Sequence, residues 1–177
     1  MKTAIVRAIL LTTFAATTLA AADQYPPFDY SVSLYKEPIH TAADGSWTEK
    51  VTVYIGNNAF QGAGAEGQPF NLSFNVGNAA GAGVCSKIRY QDSPIPSGKF
   101  WGVYAFQVVH PKSKAYNPDR PKPLNRPTTY TMRATIVPER TASDVNQSNN
   151  MASQTFQFAV GGTLSCEEYP RPTFHTP

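Results

Sequence analysis

The chain of 177 residues holds two cysteines, three histidines and two tryptophans, and only 15% of its residues are charged. Each scarcity excludes something. A tetrahedral zinc site gathers four thiol, imidazole or carboxylate ligands, whereas His40, His110 and His175 stand singly and far apart. No stretch combines a helical apolar period with caps and sufficient length. The 15 prolines and 12 glycines also weigh against long helices. Beyond the N-terminal segment, no apolar run reaches membrane length. There is no internal repeat and no low-complexity tract. No spacing of Ser, Cys, His and carboxylates matches a catalytic set, and Asp29, Glu37 and Asp44 are isolated in sequence. Neither a cofactor nor an enzymatic activity is expected.

What is present begins with MKTAIVRAILLTTFAATTLAAADQ. Lys2 and Arg7 make a positive start, residues 8–20 are apolar or small, and Ala20-Ala21-Ala22 supplies the small residues of a signal-peptidase site. The segment reads as a cleaved secretory signal over residues 1–22, with Ala20 as the neighbouring alternative cut. It is too short and too rich in Thr to anchor in a bilayer. No cysteine follows the cut, which argues against a bacterial lipid anchor. Cleavage leaves 155 of the 177 residues, one domain's worth with room for a core. Of the 15 basic residues, Lys2 and Arg7 leave with the signal, so 13 face 12 acidic ones. That balance gives no global argument for nucleic acid. A secreted, periplasmic or extracellular location is expected.

Seven short runs alternate apolar and polar residues or are rich in β-formers, at 28–36, 50–56, 69–76, 84–91, 100–109, 128–137 and 154–160. Val51, Val53 and Ile55 share one face of the second run, and Phe70, Leu72, Phe74 and Val76 one face of the third. Connectors rich in Gly, Pro and Asn separate the runs. The pattern predicts an antiparallel, immunoglobulin-like β-sandwich of about seven or more strands over residues 23–166. Residues 167–177 form a proline-rich tail. Trp47 and Trp101 are expected in or at the rim of the core.

Two stretches carry a family likeness. The first, QPFNLSFNVGNAAGAGVCSKIRYQD, runs from an alternating strand through V-x-N and small residues to a strand ending in Tyr and Asp. The second, TYTMRATIVPERTASDVNQSNNMASQTFQF, is a strand, an Asn-rich turn ending in S-N-N, and a final strand. Together they resemble the CARDB domains (cell-adhesion-related domains found in bacteria), immunoglobulin-like sandwiches of extracellular proteins. In that family the late loop carries an acidic E-x-N-E-x-N-N type signature. Asp144, Asn146, Ser148, Asn149 and Asn150 occupy comparable places here, and the Glu residues are missing. The resemblance implies binding or spacing at surfaces rather than catalysis.

Three features invite a functional reading. Asp144, Asn146 and Ser148 alternate like the first ligands of a calcium loop, but no Gly marks the sharp turn and no bidentate Glu follows. An Asn-rich turn that satisfies its own backbone is the favoured alternative. Lys112, Lys114, Arg120, Lys122 and Arg126 crowd one proline-rich loop around Tyr116, opposed only by Asp119. They form either a patch for an acidic partner or a solvated, extended loop, and the second is favoured. Asn71-Leu72-Ser73 and Asn146-Gln147-Ser148 are glycosylation sequons, relevant only in a eukaryotic host.

Cys85 and Cys166 are expected to form one disulfide, since export favours oxidation and the count is even. In an ordinary immunoglobulin-like order, the strand opened by Cys85 and the last strand run parallel with like ends level. The two cysteines then start near opposite ends. Either the chain after Val160 bends back, using Gly161 and Gly162, or the strand order differs.

The expected function is a secreted, monomeric, non-catalytic binding or adhesion module for a protein or an anionic glycan, without nucleic acid, membrane span or metal. The alternatives are a secreted inhibitor or effector presenting the basic loop, and an unrecognised hydrolase.

Overall fold

In the computed structural model, which describes residues 27–59, 67–112 and 128–169, every run with the period-two pattern is a strand. These are β1 (Tyr30–Lys36), β3 (Trp47–Asn57), β4 (Phe70–Asn78), β5 (Gly83–Gln91), β6 (Phe100–His110), β7 (Thr128–Pro138) and β8 (Met151–Phe158). The two-residue β2 (His40–Thr41) pairs with the start of β3, and β9 (Thr163–Glu168) follows β8. No α-helix occurs among the described residues; the Asn-rich connector makes two short 3-10 turns, Thr141–Ser143 and Gln147–Asn149.

The strands form two antiparallel sheets, one ordered β1-β3-β6-β9 with β2 on β3, the other β5-β4-β7-β8. Register follows from the side-chain period, because slipping one residue would turn the apolar set outward. Val32 faces Ile55 and Leu34 faces Val53, while Leu72 faces Ile136 and Phe74 faces Ala134. The apolar faces meet in one core containing Phe28, Tyr30, Phe74, Trp101, Tyr104 and Phe106, all almost fully buried. The Phe74 ring stacks on Tyr104 across the sheets, centroids 5.8 Å apart. Burying one such side chain stabilises by roughly 1.5–3 kcal/mol. Both tryptophans are buried, as expected.

A β-bulge at Val53/Tyr54 leaves Val103 as an extra residue on β6. It explains why Val103 and Tyr104, consecutive in sequence, are both buried. Beyond the bulge, Tyr54 and Gly102 share the outer face of the sheet.

β9 lies outside the period-two pattern. Its sequence TLSCEE has no buried residue and no apolar alternation, so its signal is tertiary. Gly161, at φ 90°, turns the chain after β8, and the chain passes to the opposite sheet, where Cys166 pairs with Phe106 of β6. The strand continues through Glu167 and Glu168, and the Tyr169 N–H donates to Val103 O. This crossing resolves the difficulty with the two cysteines. Cys85 on β5 and Cys166 on β9 occupy the outermost strands of opposite sheets, Cα atoms 6.4 Å apart, and are bonded. Beside them Arg89 of β5 pairs with Glu168 of β9 at 3.1 Å and lies over the Trp101 ring.

Candidate functional site

Opposite that seam, β1 and β8 are also tied together, through a buried carboxylate. Glu49 lies on the inward face of β3, paired with Val108. It is only 6% exposed, so its charge requires partners. Oε1 accepts from Lys36 Nζ of β1 at 3.0 Å. Oε2 accepts the Ala159 N–H at 2.8 Å, just past the end of β8, and lies 3.3 Å from His110 Nε2 of β6. The Lys36 ammonium also donates to Gln157 O and lies over the Phe158 ring. His110 stacks on Trp47, ring centroids 3.7 Å apart. A side chain at Gly162 would run into Val108 and come within 2.9 Å of the His110 ring, so glycine is required there for close approach. Burial holds the His110 imidazole below its ordinary pKa, against the pull of Glu49.

This Lys–Glu–His cluster unites ionisable residues that the sequence leaves isolated. Chemically it is a clamp. Each carboxylate oxygen is engaged, and His110 has no hydroxyl or thiol hydrogen-bonded to it among the described residues. The charge pattern of Lys36, Glu49 and His110, separated by 13 and 61 residues, leaves no local sequence signal.

The same end of the sandwich carries the two residues that flank the basic segment. Its anchors, His110 and Thr128, stand on opposite sheets, paired with Trp47 and Phe158. Lys112 is exposed, its stem lying over Gly45 in the turn before β3. Lys114, Tyr116, Arg120, Lys122 and Arg126 lie outside the described residues.

The Asn-rich connector sits at the other end. Phe28 and Asp144 form an isolated parallel bridge, fixed by Phe28 N–H to Ser143 O and Val145 N–H to Phe28 O. The buried Asp144 accepts the Asn146 N–H on Oδ1 and the Asn150 Nδ2 on Oδ2. Ser148 donates to Asn146 Oδ1, and Asn149 Nδ2 to Asp29 Oδ1. Burial pushes the Asp144 carboxyl up, against those hydrogen bonds. Both oxygens therefore serve the turn itself. No group of three His, Cys, Asp or Glu suited to a metal occurs among the described residues.

Comparison with known proteins gives one similarity. No family model matches the sequence, and no curated protein matches it. Among solved structures, the chain is similar to the CARDB domain of a Pyrococcus furiosus protein, determined in complex with di-metal ions. The two share 13% identity with a TM-score of 0.41, over 76% of this chain and 96% of that domain.

Proposed function

We propose that this chain is an exported, non-catalytic binding module of immunoglobulin-like type that engages its partner through an end loop. Strand order supports the fold reading. β1, β3 and β6 stand where strands A, B and E stand in immunoglobulin domains, and β8, β7, β4 and β5 where G, F, C and C′ stand. β9 takes the place beside E that strand D holds elsewhere. The leader-like segment and the Cys85–Cys166 bond support export.

The observation that carries the binding reading is the commitment of Glu49. The groups suited to acid–base chemistry are spent on the frame: Glu49 joins three segments, and Asp144 organises its own turn. The outer strands are tied to each other across both seams. Recognition by strand addition is thereby disfavoured, which leaves faces and loops. The basic loop, with Lys112, Lys114, Arg120, Lys122 and Arg126 around Tyr116, suits a protein with an acidic surface or an anionic glycan. An inhibitor or effector would use the same loop.

The test pairs binding with turnover. The protein should bind its native envelope or host material saturably and hydrolyse no ester, glycoside or phosphoester substrate. Hydrolysis that Glu49→Gln or His110→Gln abolishes, in variants that remain folded, would overturn the reading in favour of a hydrolase.

A further inference from the structure

The outer face of the β1-β3-β6 sheet carries a groove that the basic loop and the two seams do not use. Three cross-strand rows build it. Ser31, Gly56 and Phe100 form the first, Ser33, Tyr54 and Gly102 the second, and Tyr35 and Thr52 begin the third. The groove encloses about 430 Å³ and opens to solvent, with Asn58 at its end.

Its shape comes from two glycines and a bulge. A side chain at Gly56 would press on Ser31 Oγ at 3.2 Å, and one at Gly102 on the Tyr54 ring at 3.2 Å. With glycine at both positions, the floor stays at backbone level. The bulge at Val53/Tyr54 sets Tyr54 opposite Gly102 rather than opposite another side chain. The Tyr54 ring is then held edge-to-face between Tyr35 at 6.5 Å and Phe100 at 5.8 Å. Tyr35 is 54% exposed.

The lining is aromatic and polar but uncharged. The hydroxyls of Ser31, Ser33, Tyr35 and Tyr54 and the Asn58 amide have no side-chain hydrogen-bond partner among the described residues. The neighbouring charges on this face, Lys50 and Glu37, pair with each other at 2.8 Å. Rings fixed by their neighbours cost little entropy when a ligand stacks on them. Free hydroxyls and an amide beside those rings suit a ligand with apolar C–H faces and a rim of hydroxyls. A pyranose ring has both. A charged ligand would find no counter-charge in the lining, and a purely apolar one would strand the hydroxyls.

We propose that this groove binds a neutral oligosaccharide, its sugar rings stacking on Tyr35, Tyr54 and Phe100 and its hydroxyls bonding to Ser31, Ser33 and Asn58. The assignment deepens the binding-module reading and rests on it, but it concerns a different surface from the basic loop.

The experiment is calorimetric titration of the disulfide-bonded protein with hexasaccharides of glucose, xylose, mannose and N-acetylglucosamine, each β-linked. At least one should bind at a single site, equally well at low and high salt. Tyr35→Ala and Tyr54→Ala should each weaken it about tenfold or more, with thermal transitions close to the parent's. Ser33→Arg, at an exposed position, should block the groove without affecting folding. Tyr90→Ala, on the outer face of the other sheet, should leave affinity unchanged. Three outcomes overturn the proposal: no binding of any of the four sugars, equal binding by the Tyr35, Tyr54 and Ser33 variants, or a steep salt dependence. The first, found together with salt-sensitive binding to a polyanion, would reject the groove and keep the binding module. Hydrolysis of a sugar abolished by Glu49→Gln would reject the module itself.

Discussion

His110 lies flat against Trp47, centroids 3.7 Å apart and planes 13° from parallel, while its Nε2 faces the buried Glu49. Two opposing influences meet on this ring. Burial disfavours the imidazolium, and the carboxylate favours it; burial has the larger effect. The folded chain therefore takes up this proton at lower pH than the unfolded chain. The resulting stability is present above the unfolded value of about 6.5 and is lost as pH falls through the folded value. Thermal melts should show a Tm declining on acidification from about pH 7. His110→Phe, which keeps a ring on Trp47, should flatten the decline; an equal decline in both proteins would refute the assignment.

The Cys85–Cys166 bond should account for much of the stability. It closes a loop with a sequence separation of 81, for which the chain-entropy model gives about 4–5 kcal/mol. Urea unfolding with and without reductant measures the difference. Denatured, unreduced protein should show no reactive thiol, and two per chain would disprove the bond.

Asp144→Ala should cost about 1–3 kcal/mol, because the Asn146 N–H and the Asn150 amide lose their acceptors. Calcium should leave Tm unchanged, since both carboxylate oxygens are already bonded within the turn. A calcium-dependent rise, lost in this variant, would restore the calcium-loop reading.

Replacing Lys112, Lys114, Arg120 and Lys122 together should lower the salt concentration at which the protein leaves a heparin column. It should barely move Tm, because exposed charges contribute little to folding. Unchanged elution would leave the loop as a solvated connector.

The sequence foretold those parts of the fold in which packing and local pattern agree. Each of the seven alternating runs became a strand, since Phe70, Leu72, Phe74 and Val76 can share a buried face only in extended chain. β9 was hidden because its residues pack only partly and its place is set by β6 and Cys166. Cysteine parity still pointed to the bond, and the two glycines to the bend. The Lys36–Glu49–His110 clamp and the Tyr35–Tyr54–Phe100 groove were illegible for another reason. Both depend on cross-strand register, the groove also on a bulge, and neither leaves a trace along a single strand.

The bond between β5 and β9 also changes what a break in the backbone means. Cys85 precedes the basic loop and Cys166 follows it, so the loop lies inside a covalent ring. A protease that cuts between His110 and Thr128 opens the ring without dividing the molecule. One piece keeps β6 and the other β9, and these strands remain hydrogen-bonded neighbours. Such a nicked protein would migrate as one chain until reduced, and would keep its frame after the connection between β6 and β7 had been severed.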